Sequence, residues 1–301
     1  MKRTAATIVT TLVLVGCSSS QDRGARPVEI VATTTVVGDL ARAVGGRRAA
    51  VRTLMRANAD PHDFEPRPSD ARALSGADLL VVSGGDLDDW VGAIVGAVSF
   101  EGEQLTLFDK LAMVSEEDPH WWHDPRNGIR AVAQVRDALI RADPKGRAEY
   151  ERNAGAYTER LRRLDRSIAS CMGRIPQSKR KLVTTHDALG YYARRYDVEV
   201  VGALIPSRST QAQPSGRDVQ KLVGQIRSEG VEAIFPESAL DPRLERAVSR
   251  EARVKVGGEL WADTLGPRGS GAETYLGSLS ANTATLAEGM SGGTVRCRPR
   301  A

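Results

Sequence analysis

Residues 143–176 read DPKGRAEYERNAGAYTERLRRLDRSIASCMGRIP, and this stretch decides the architecture that the sequence predicts. Apolar or small side chains recur in it at steps of four and three residues, namely Tyr150, Ala154, Tyr157, Leu161, Leu164, Ile168, Cys171 and Ile175. This spacing predicts one helix with a single apolar stripe. Asp143 before Pro144 is a typical start of a helix, and Gly173 and Pro176 mark the end. About 30 helical residues reach about 45 Å, the length of a whole lobe.

Two explanations of this stripe remain open at the level of sequence. The helix could pair with another helix as a coiled coil, or both halves of the chain could cover it. On either side of it, strand-like and helix-like patterns alternate, which indicates parallel βαβ units. We therefore predict an α/β fold of two similar lobes with parallel sheets: an N-terminal lobe over 28–142, the rigid linking helix over 143–176 and a C-terminal lobe over 177–301.

The first residues indicate the compartment. Met1-Lys2-Arg3 is basic, a short apolar stretch comes next, and Leu14-Val15-Gly16-Cys17 resembles a bacterial lipobox. The resemblance implies a signal peptide over 1–16, lipid attachment at Cys17 and a flexible tether over 17–27. An ordinary signal peptide with a chance cysteine is the alternative. Both interpretations place the protein outside the cytoplasm, and the first anchors it to the cell membrane.

Outside the cytoplasm, the two cysteines other than Cys17 could pair. Cys171 lies near the end of the predicted helix and Cys297 near the end of the chain. A disulfide would attach the C-terminal tail to the helix. Two unpaired thiols are an equal alternative, because a sequence does not reveal the distance between Cα atoms.

Composition excludes several classes of protein. The 301 residues are 41% hydrophobic and 27% charged, with a formal net charge of +4. These values are ordinary for a soluble globular protein and argue against intrinsic disorder and a polytopic membrane protein. Basic residues are spread along the chain and aromatic residues make up only 5% of it, so nucleic-acid binding is not supported.

Histidine is scarce, and its positions indicate the chemistry. The chain contains four histidines, which are His62, His120, His123 and His186. Three of them come after predicted strands or extended segments, where α/β folds place their ligand sites. Each histidine alone could instead be a cap or a surface residue. Their occurrence at comparable positions in both lobes favours a metal site.

Several stretches, in order along the chain, resemble one family. They are ADPHDFEPRPSD (59–70), DPHWWHDP (118–125), THDALGYY (185–192), QPS (213–215), EGVEAIFPES (229–238) and ADTLG (262–266). Over nearly all of 28–290 the chain resembles the zinc/manganese solute-binding proteins of bacterial ABC importers. The resemblance implies two lobes joined by a rigid helix, with a metal ion bound between them.

Carried over by position, the resemblance makes His62 and His120 the ligands from the first lobe, and His186 and Asp263 those from the second. Three imidazoles and one carboxylate suit tetrahedral Zn²⁺. Mn²⁺ prefers oxygen-rich octahedral sites and is the weaker alternative. In the family, manganese members tend to have a carboxylate where His186 stands, which also favours zinc.

Other residues of the motifs are expected to play supporting parts. His123, Glu65 and Glu237 are candidates for contacts behind the ligands, and His123 is a minor candidate for a metal contact. Asp60, Asp63 and Asp187 are expected to cap helices or to orient a ligand. Trp122 is expected to pack in the core. No histidine lies between His62 and His120, so the His-rich loop of many zinc importers is absent.

The resemblance implies a monomeric, non-enzymatic receptor that captures Zn²⁺ and passes it to an ABC permease driven by its ATPase. A zinc-dependent extracellular hydrolase is the alternative, because three histidines can leave a position open for water. Against a hydrolase, no His-Glu-x-x-His motif occurs, and Asp263 would fill that position. A surface adhesin with the same fold is a third possibility.

Overall fold

The computed structural model describes residues 26–113 and 117–301 and contains two α/β lobes. The N-terminal lobe is built on a parallel sheet with the strand order β2-β1-β3-β4. Its strands are β1 (Val28–Ala32), β2 (Ala49–Thr53), β3 (Leu79–Val82) and β4 (Glu103–Thr106). Its helices are α1 (Thr35–Gly45), α2 (Pro68–Leu74), α3 (Val91–Ala97) and α4 (Pro125–Ala142). Every residue of β3 is buried, as expected for a parallel strand covered on both faces.

The C-terminal lobe repeats this strand order with two longer and two shorter strands. They are β5 (Lys181–His186), β6 (Glu199–Ile205), β7 (Ala233–Ile234) and β8 (Lys255–Val256). The pairs β5–β6 and β7–β8 are parallel, and a bridge between Thr184 and Phe235 joins them in the order β6-β5-β7-β8. The helices are α6 (Gly190–Tyr196), α7 (Gly216–Glu229), α8 (Arg243–Ala252) and α9 (Tyr275–Met290). The two lobes are therefore similar, as predicted.

One long helix, α5 (Arg147–Met172), joins the lobes. All seven stripe residues that lie within it are buried, and the largest buried cluster runs from the first lobe through α5 into the second. Burying one such aliphatic or aromatic side chain contributes about 1.5–3 kcal/mol to stability. Both lobes cover the stripe, so the coiled-coil explanation was wrong.

The helical segment starts after Asp143, at Pro144, but its first turn is a 3-10 turn and not part of α5. A short 3-10 turn, Pro144–Gly146, separates Asp143 from α5, and the Asp143 side chain makes no capping bond there. Its carboxylate instead accepts hydrogen bonds from Arg48 Nε at 2.8 Å and from the Tyr150 hydroxyl at 3.0 Å. The Asp143 carboxylate, which could otherwise cap the helix, thus forms an ion pair with Arg48.

The same dipeptide, Asp124-Pro125, begins helix α4, which the sequence pattern did not predict. The Asp124 side chain accepts a hydrogen bond from Arg126 N, and α4 runs from there to Ala142. Strand β4 was also missed. With these elements in place, helices α1, α4 and α5 cover one face of the first lobe's sheet, and α2 and α3 cover the other.

The C-terminal tail returns along α5. Cys171 and Cys297 form a disulfide, with their Cα atoms 6.0 Å apart. Beyond it, Arg300 N donates to Ser167 Oγ at 3.2 Å, so the tail packs antiparallel to the helix. Within the described residues no helix combines the length and apolar character that crossing a membrane would need.

Candidate metal centre

Four side chains distant in the sequence converge between the lobes. His62, His120, His186 and Asp263 each direct one nitrogen or oxygen atom to a common point, and these atoms all lie within 4.8 Å of one another. The three imidazole Nε2 atoms lie 3.5, 3.4 and 3.3 Å from oxygens of Asp263, in the order of the chain. His120 Nε2 and His186 Nε2 are 3.3 Å apart. The structure thus brings together the complete ligand set that the resemblance implied.

The parallel sheets explain why these residues meet. His186 is the last residue of β5, and the other three come after β2, β4 and β8 through loops. Because the carboxyl ends of parallel strands share one edge, each lobe presents its loops to the other at this edge. His62 lies in a short 3-10 turn, Pro61–Asp63, whose first amide group is held by Asp60: Oδ1 accepts from His62 N at 2.9 Å.

The spacing of the donor atoms fits a small tetrahedral cation. Bonds of about 2.0–2.1 Å give a regular tetrahedron edges of about 3.3–3.4 Å. Four of the separations lie between 3.3 and 3.5 Å, close to this value, although Oδ1 of Asp263 faces His120 and Oδ2 faces His62 and His186. Asp263 takes the fourth position, which a catalytic zinc site would leave open for water.

Two carboxylates outside this ligand set orient two of the imidazoles. Asp118 Oδ1 lies 2.8 Å from His120 Nδ1, and both oxygens of Glu237 lie 2.8 and 2.9 Å from His186 Nδ1. An ionised carboxylate accepts from Nδ1–H, which fixes each ring with its Nε2 atom directed to the centre. This is the arrangement that metal-binding histidines need.

Burial controls the charge of the centre. His120 and His186 are fully buried, and the side chain of His62 is 8% exposed. Burial and the neighbouring His186 lower the pKa of His62 to about 4, and the same two causes lower the pKa of His120. Burial also opposes the charge on His186, but Glu237 and Asp263 outweigh it and raise the pKa of His186 to about 10. Burial raises the pKa of Asp263 to about 8.

Two buried polar atoms of the centre lack a hydrogen-bond partner in the described structure. They are His62 Nε2 and Asp263 Oδ1. An unpaired buried polar atom costs about 1–3 kcal/mol, so such atoms need an explanation. A cation among the four side chains would satisfy both at once.

The lobes also meet at the outer side of His62. A cavity of about 330 Å³ lies there, lined by His62 and Trp90 from one lobe and Arg208 and Gln211 from the other. Gln211 Nε2 donates to the His62 carbonyl at 2.6 Å, and the Thr210 hydroxyl donates to Asp60 Oδ2 at 2.6 Å. This cavity leads from the surface to His62, the first-lobe ligand that is not fully enclosed.

The other predicted residues fall into different places. Glu237 lies behind His186 as proposed, but Glu65 is exposed and lies outside the group of four. His123 is buried beside Trp122 and is also outside that group, and burial lowers the pKa of His123 to about 3. Sequence reasoning missed the part played by Asp118, although its position two residues before His120 was a usable signal. The predicted lipidation site Cys17 lies outside the described residues.

The fold and the centre together define a class: two-lobed receptors that hold a metal ion between their lobes. Residues 30–289 match the family described as ZnuA, zinc-uptake complex component A, periplasmic. Because the match covers most of the chain, the protein belongs to this family of metal-binding substrate-binding proteins of ABC importers, as the resemblance implied. Members of this family serve transport, which supports the prediction of a receptor over that of a hydrolase.

Named relatives cover nearly the whole chain. The manganese-binding lipoprotein MntA of Halalkalibacterium halodurans is 30% identical over 292 residues, which are 94% of this chain and 96% of MntA. The manganese ABC transporter substrate-binding lipoprotein PsaA of Streptococcus pneumoniae is 26% identical and spans 92% of this chain and 94% of its own length. Among solved structures, the periplasmic zinc-binding protein TroA of Treponema pallidum is 26% identical with a TM-score of 0.81, covering 89% of this chain and 100% of TroA.

Proposed function

We propose that this protein captures Zn²⁺ outside the cytoplasm and delivers it to an ABC import permease. In this proposal His62, His120, His186 and Asp263 are the ligands of the transported ion. The observation that carries it is the approach of three imidazole Nε2 atoms to within 3.3–3.5 Å of one buried carboxylate.

The donor set supports zinc as the cargo. Neutral imidazole and carboxylate in a four-coordinate arrangement are typical of Zn²⁺. A site of nitrogen and oxygen donors also binds Zn²⁺ more tightly than Mn²⁺ when no other constraint acts. Burial of His62 and His120 supports the capture of a divalent cation, because both rings are then neutral and ready to bind at neutral pH.

Manganese is the second candidate, for two reasons. MntA and PsaA carry manganese in their names. In addition, both oxygens of Asp263 approach the imidazoles, Oδ1 that of His120 and Oδ2 those of His62 and His186. A carboxylate that binds through both oxygens would raise the number of donors to five, which suits Mn²⁺ better than Zn²⁺.

Calorimetry on metal-free protein separates the two cargoes. We expect one binding site, displacement of bound Mn²⁺ by Zn²⁺, and no displacement of Zn²⁺ by an equal amount of Mn²⁺. The double variant His62→Ala/His186→Ala should lose this site, and Glu65→Gln, at an exposed carboxylate outside the group, should keep it. Full affinity in the double variant would show that the ligand assignment is wrong, and displacement of Zn²⁺ by Mn²⁺ would make manganese the cargo.

The location and partners are inferred from the same family. We infer lipid attachment at Cys17, supported by the lipobox-like segment and by the lipoprotein names of the relatives. The partners would be the permease and ATPase of an importer, with this chain acting as a monomer. Uptake of radioactive zinc by cells that lack the chain should recover with the wild-type gene and not with the double variant.

A further inference from the structure

Two adjacent tryptophans differ in where their indole groups bind. Trp121 and Trp122 are both buried, at 0% and 3% exposure. Trp121 Nε1 donates to Ser83 Oγ at 3.1 Å, within the first lobe. Trp122 Nε1 donates to the Ala262 carbonyl at 2.8 Å, on the segment that carries Asp263. Only the second of these bonds reaches the metal centre from one lobe to the other.

Trp122 also contacts a ligand of the first lobe. Its ring lies edge-on to that of His120, with the ring centroids 5.4 Å apart. Its carbonyl accepts a hydrogen bond from the Tyr275 hydroxyl at 2.6 Å, at the start of α9. One side chain therefore touches His120 and the peptide group directly before Asp263.

The residues after Asp263 are also held by the first lobe. Leu265 N donates to Thr35 Oγ1 at 2.9 Å, and Asn58 N donates to the Leu265 carbonyl at 3.1 Å and to Thr264 Oγ1 at 3.2 Å. Trp261, two residues before Asp263, is instead held by the second lobe. Both its backbone N–H and its carbonyl bond to the Asn282 side chain of α9. The attachment of the chain thus changes from the second lobe to the first between Trp261 and Ala262.

We propose that Trp122 is a positioning residue that sets the orientation of Asp263 toward the bound ion. This inference rests on the proposed function. The Ala262 carbonyl belongs to the peptide bond that leads into Asp263, so fixing it fixes the direction in which the Asp263 side chain leaves the backbone. With Thr35 and Asn58 on the other side, the indole holds the carboxylate at its place 3.4 Å from His120 Nε2. Three of the four ligands then move with the first lobe, and His186 alone moves with the second.

The matched variants Trp122→Phe and Trp121→Phe test this inference. Each keeps an aromatic ring and removes one N–H donor. We expect Zn²⁺ to dissociate about 10–100-fold faster from Trp122→Phe, the range found for partners that orient a ligand. Trp121→Phe should stay close to the wild type in dissociation rate, while both variants lose similar thermal stability. With Co²⁺ as the probe, only Trp122→Phe should change the visible spectrum.

A readout without metal separates this inference from the proposed function. In metal-free protein, hydrogen exchange of the Leu265 amide should be faster in Trp122→Phe and unchanged in Trp121→Phe. Equal effects of the two variants on dissociation, spectrum and exchange would overturn the inference and leave the proposed function intact. A wild type that fails to bind Zn²⁺ would instead overturn the proposed function, and the exchange result would still decide the part played by Trp122.

A second pair covers the case in which Trp122→Phe does not fold. Thr35→Val removes the acceptor of Leu265 N, while Thr33→Val removes a buried hydroxyl that bonds to Val81 within the first lobe. We expect faster Zn²⁺ dissociation and faster exchange at Leu265 only in Thr35→Val. The same behaviour in both threonine variants would contradict the proposed docking of this segment.

Discussion

The two lobes share a strand order and differ in the segments at the ends of their strands. In the first lobe, β1 ends beside Thr33 and Thr34, and the histidines lie in the loops after β2 and β4. In the second lobe, the equivalent strand β5 itself ends in His186. The common scaffold thus determines which edge carries the candidate ligands, and the segments at the ends of the strands determine which residues they are. This agrees with the general rule that function resides in sites placed on a fold.

The lobes also differ in charge at the centre. The first lobe supplies His62 and His120, whose pKa values are lowered by burial. The second supplies His186 and Asp263, whose pKa values are raised to about 10 and about 8. In metal-free protein at neutral pH, the first lobe therefore offers free donor atoms, and the second holds the protons that an incoming cation must replace.

Removing one ligand from either lobe should have the largest effect. We expect His62→Gln and His186→Gln each to weaken Zn²⁺ binding by more than about 100-fold, beyond the loss caused by an orienting partner. The reason is that the buried site has no spare donor among the four. Calorimetry measures the effect, with Glu65→Gln, at an exposed carboxylate outside the group, as the control. If one of the two variants binds Zn²⁺ as tightly as the wild type, its histidine is not a ligand and the ion is held by the residues of the other lobe.

Loss of the disulfide should destabilise the second lobe. Cys171 and Cys297 are 126 residues apart in the sequence, and residues 28–142 contain no cysteine. We expect Cys171→Ser/Cys297→Ser to lower the free energy of unfolding by about 2–5 kcal/mol. Urea unfolding measures it, and a reducing agent should destabilise the wild type but not the variant. Unchanged stability would mean that packing of the tail is sufficient without the bond.

The orienting carboxylates should have a smaller effect that differs between the lobes. Asp118→Asn and Glu237→Gln are expected to weaken Zn²⁺ binding about 10–100-fold. Each carboxylate accepts from the backbone N of its own histidine, so this bond does not distinguish them. Glu237→Gln should be the more severe, because both Glu237 oxygens face His186 Nδ1, whereas one Asp118 oxygen faces His120 Nδ1. Exposed Glu65→Gln is the control for calorimetry. If Asp118→Asn proves the more severe, the first lobe depends more on its orienting carboxylate than the second.

The last effect concerns the protons that the second lobe holds in metal-free protein. Because the pKa values of His186 and Asp263 are raised, Zn²⁺ must displace protons from them, so affinity should rise between about pH 6 and about pH 8. The rise is at most about tenfold per pH unit for each proton released. Calorimetry in two buffers of different ionisation enthalpy counts these protons. Binding without proton release would mean that the second lobe is already deprotonated.

Local patterns predicted the elements with strong periodicity and failed where tertiary contacts intervene. The stripe from Tyr150 to Cys171 predicted α5 and its buried face correctly. The dipeptide Asp-Pro precedes a helical segment at both 143–144 and 124–125, but only Asp124 caps its helix, because Arg48 and Tyr150 bind the Asp143 carboxylate. No local pattern distinguishes the two cases.

By itself the sequence determined the long helix, the α/β class of both halves and a small set of histidines, because helical periodicity and family motifs are local properties of the chain. Only the tertiary structure decided that four remote side chains share one point, that Asp118 and Glu237 orient two of them, and that Trp122 reaches Ala262. These contacts depend on the order of the strands and on how two lobes face each other. Residue spacing does not encode them.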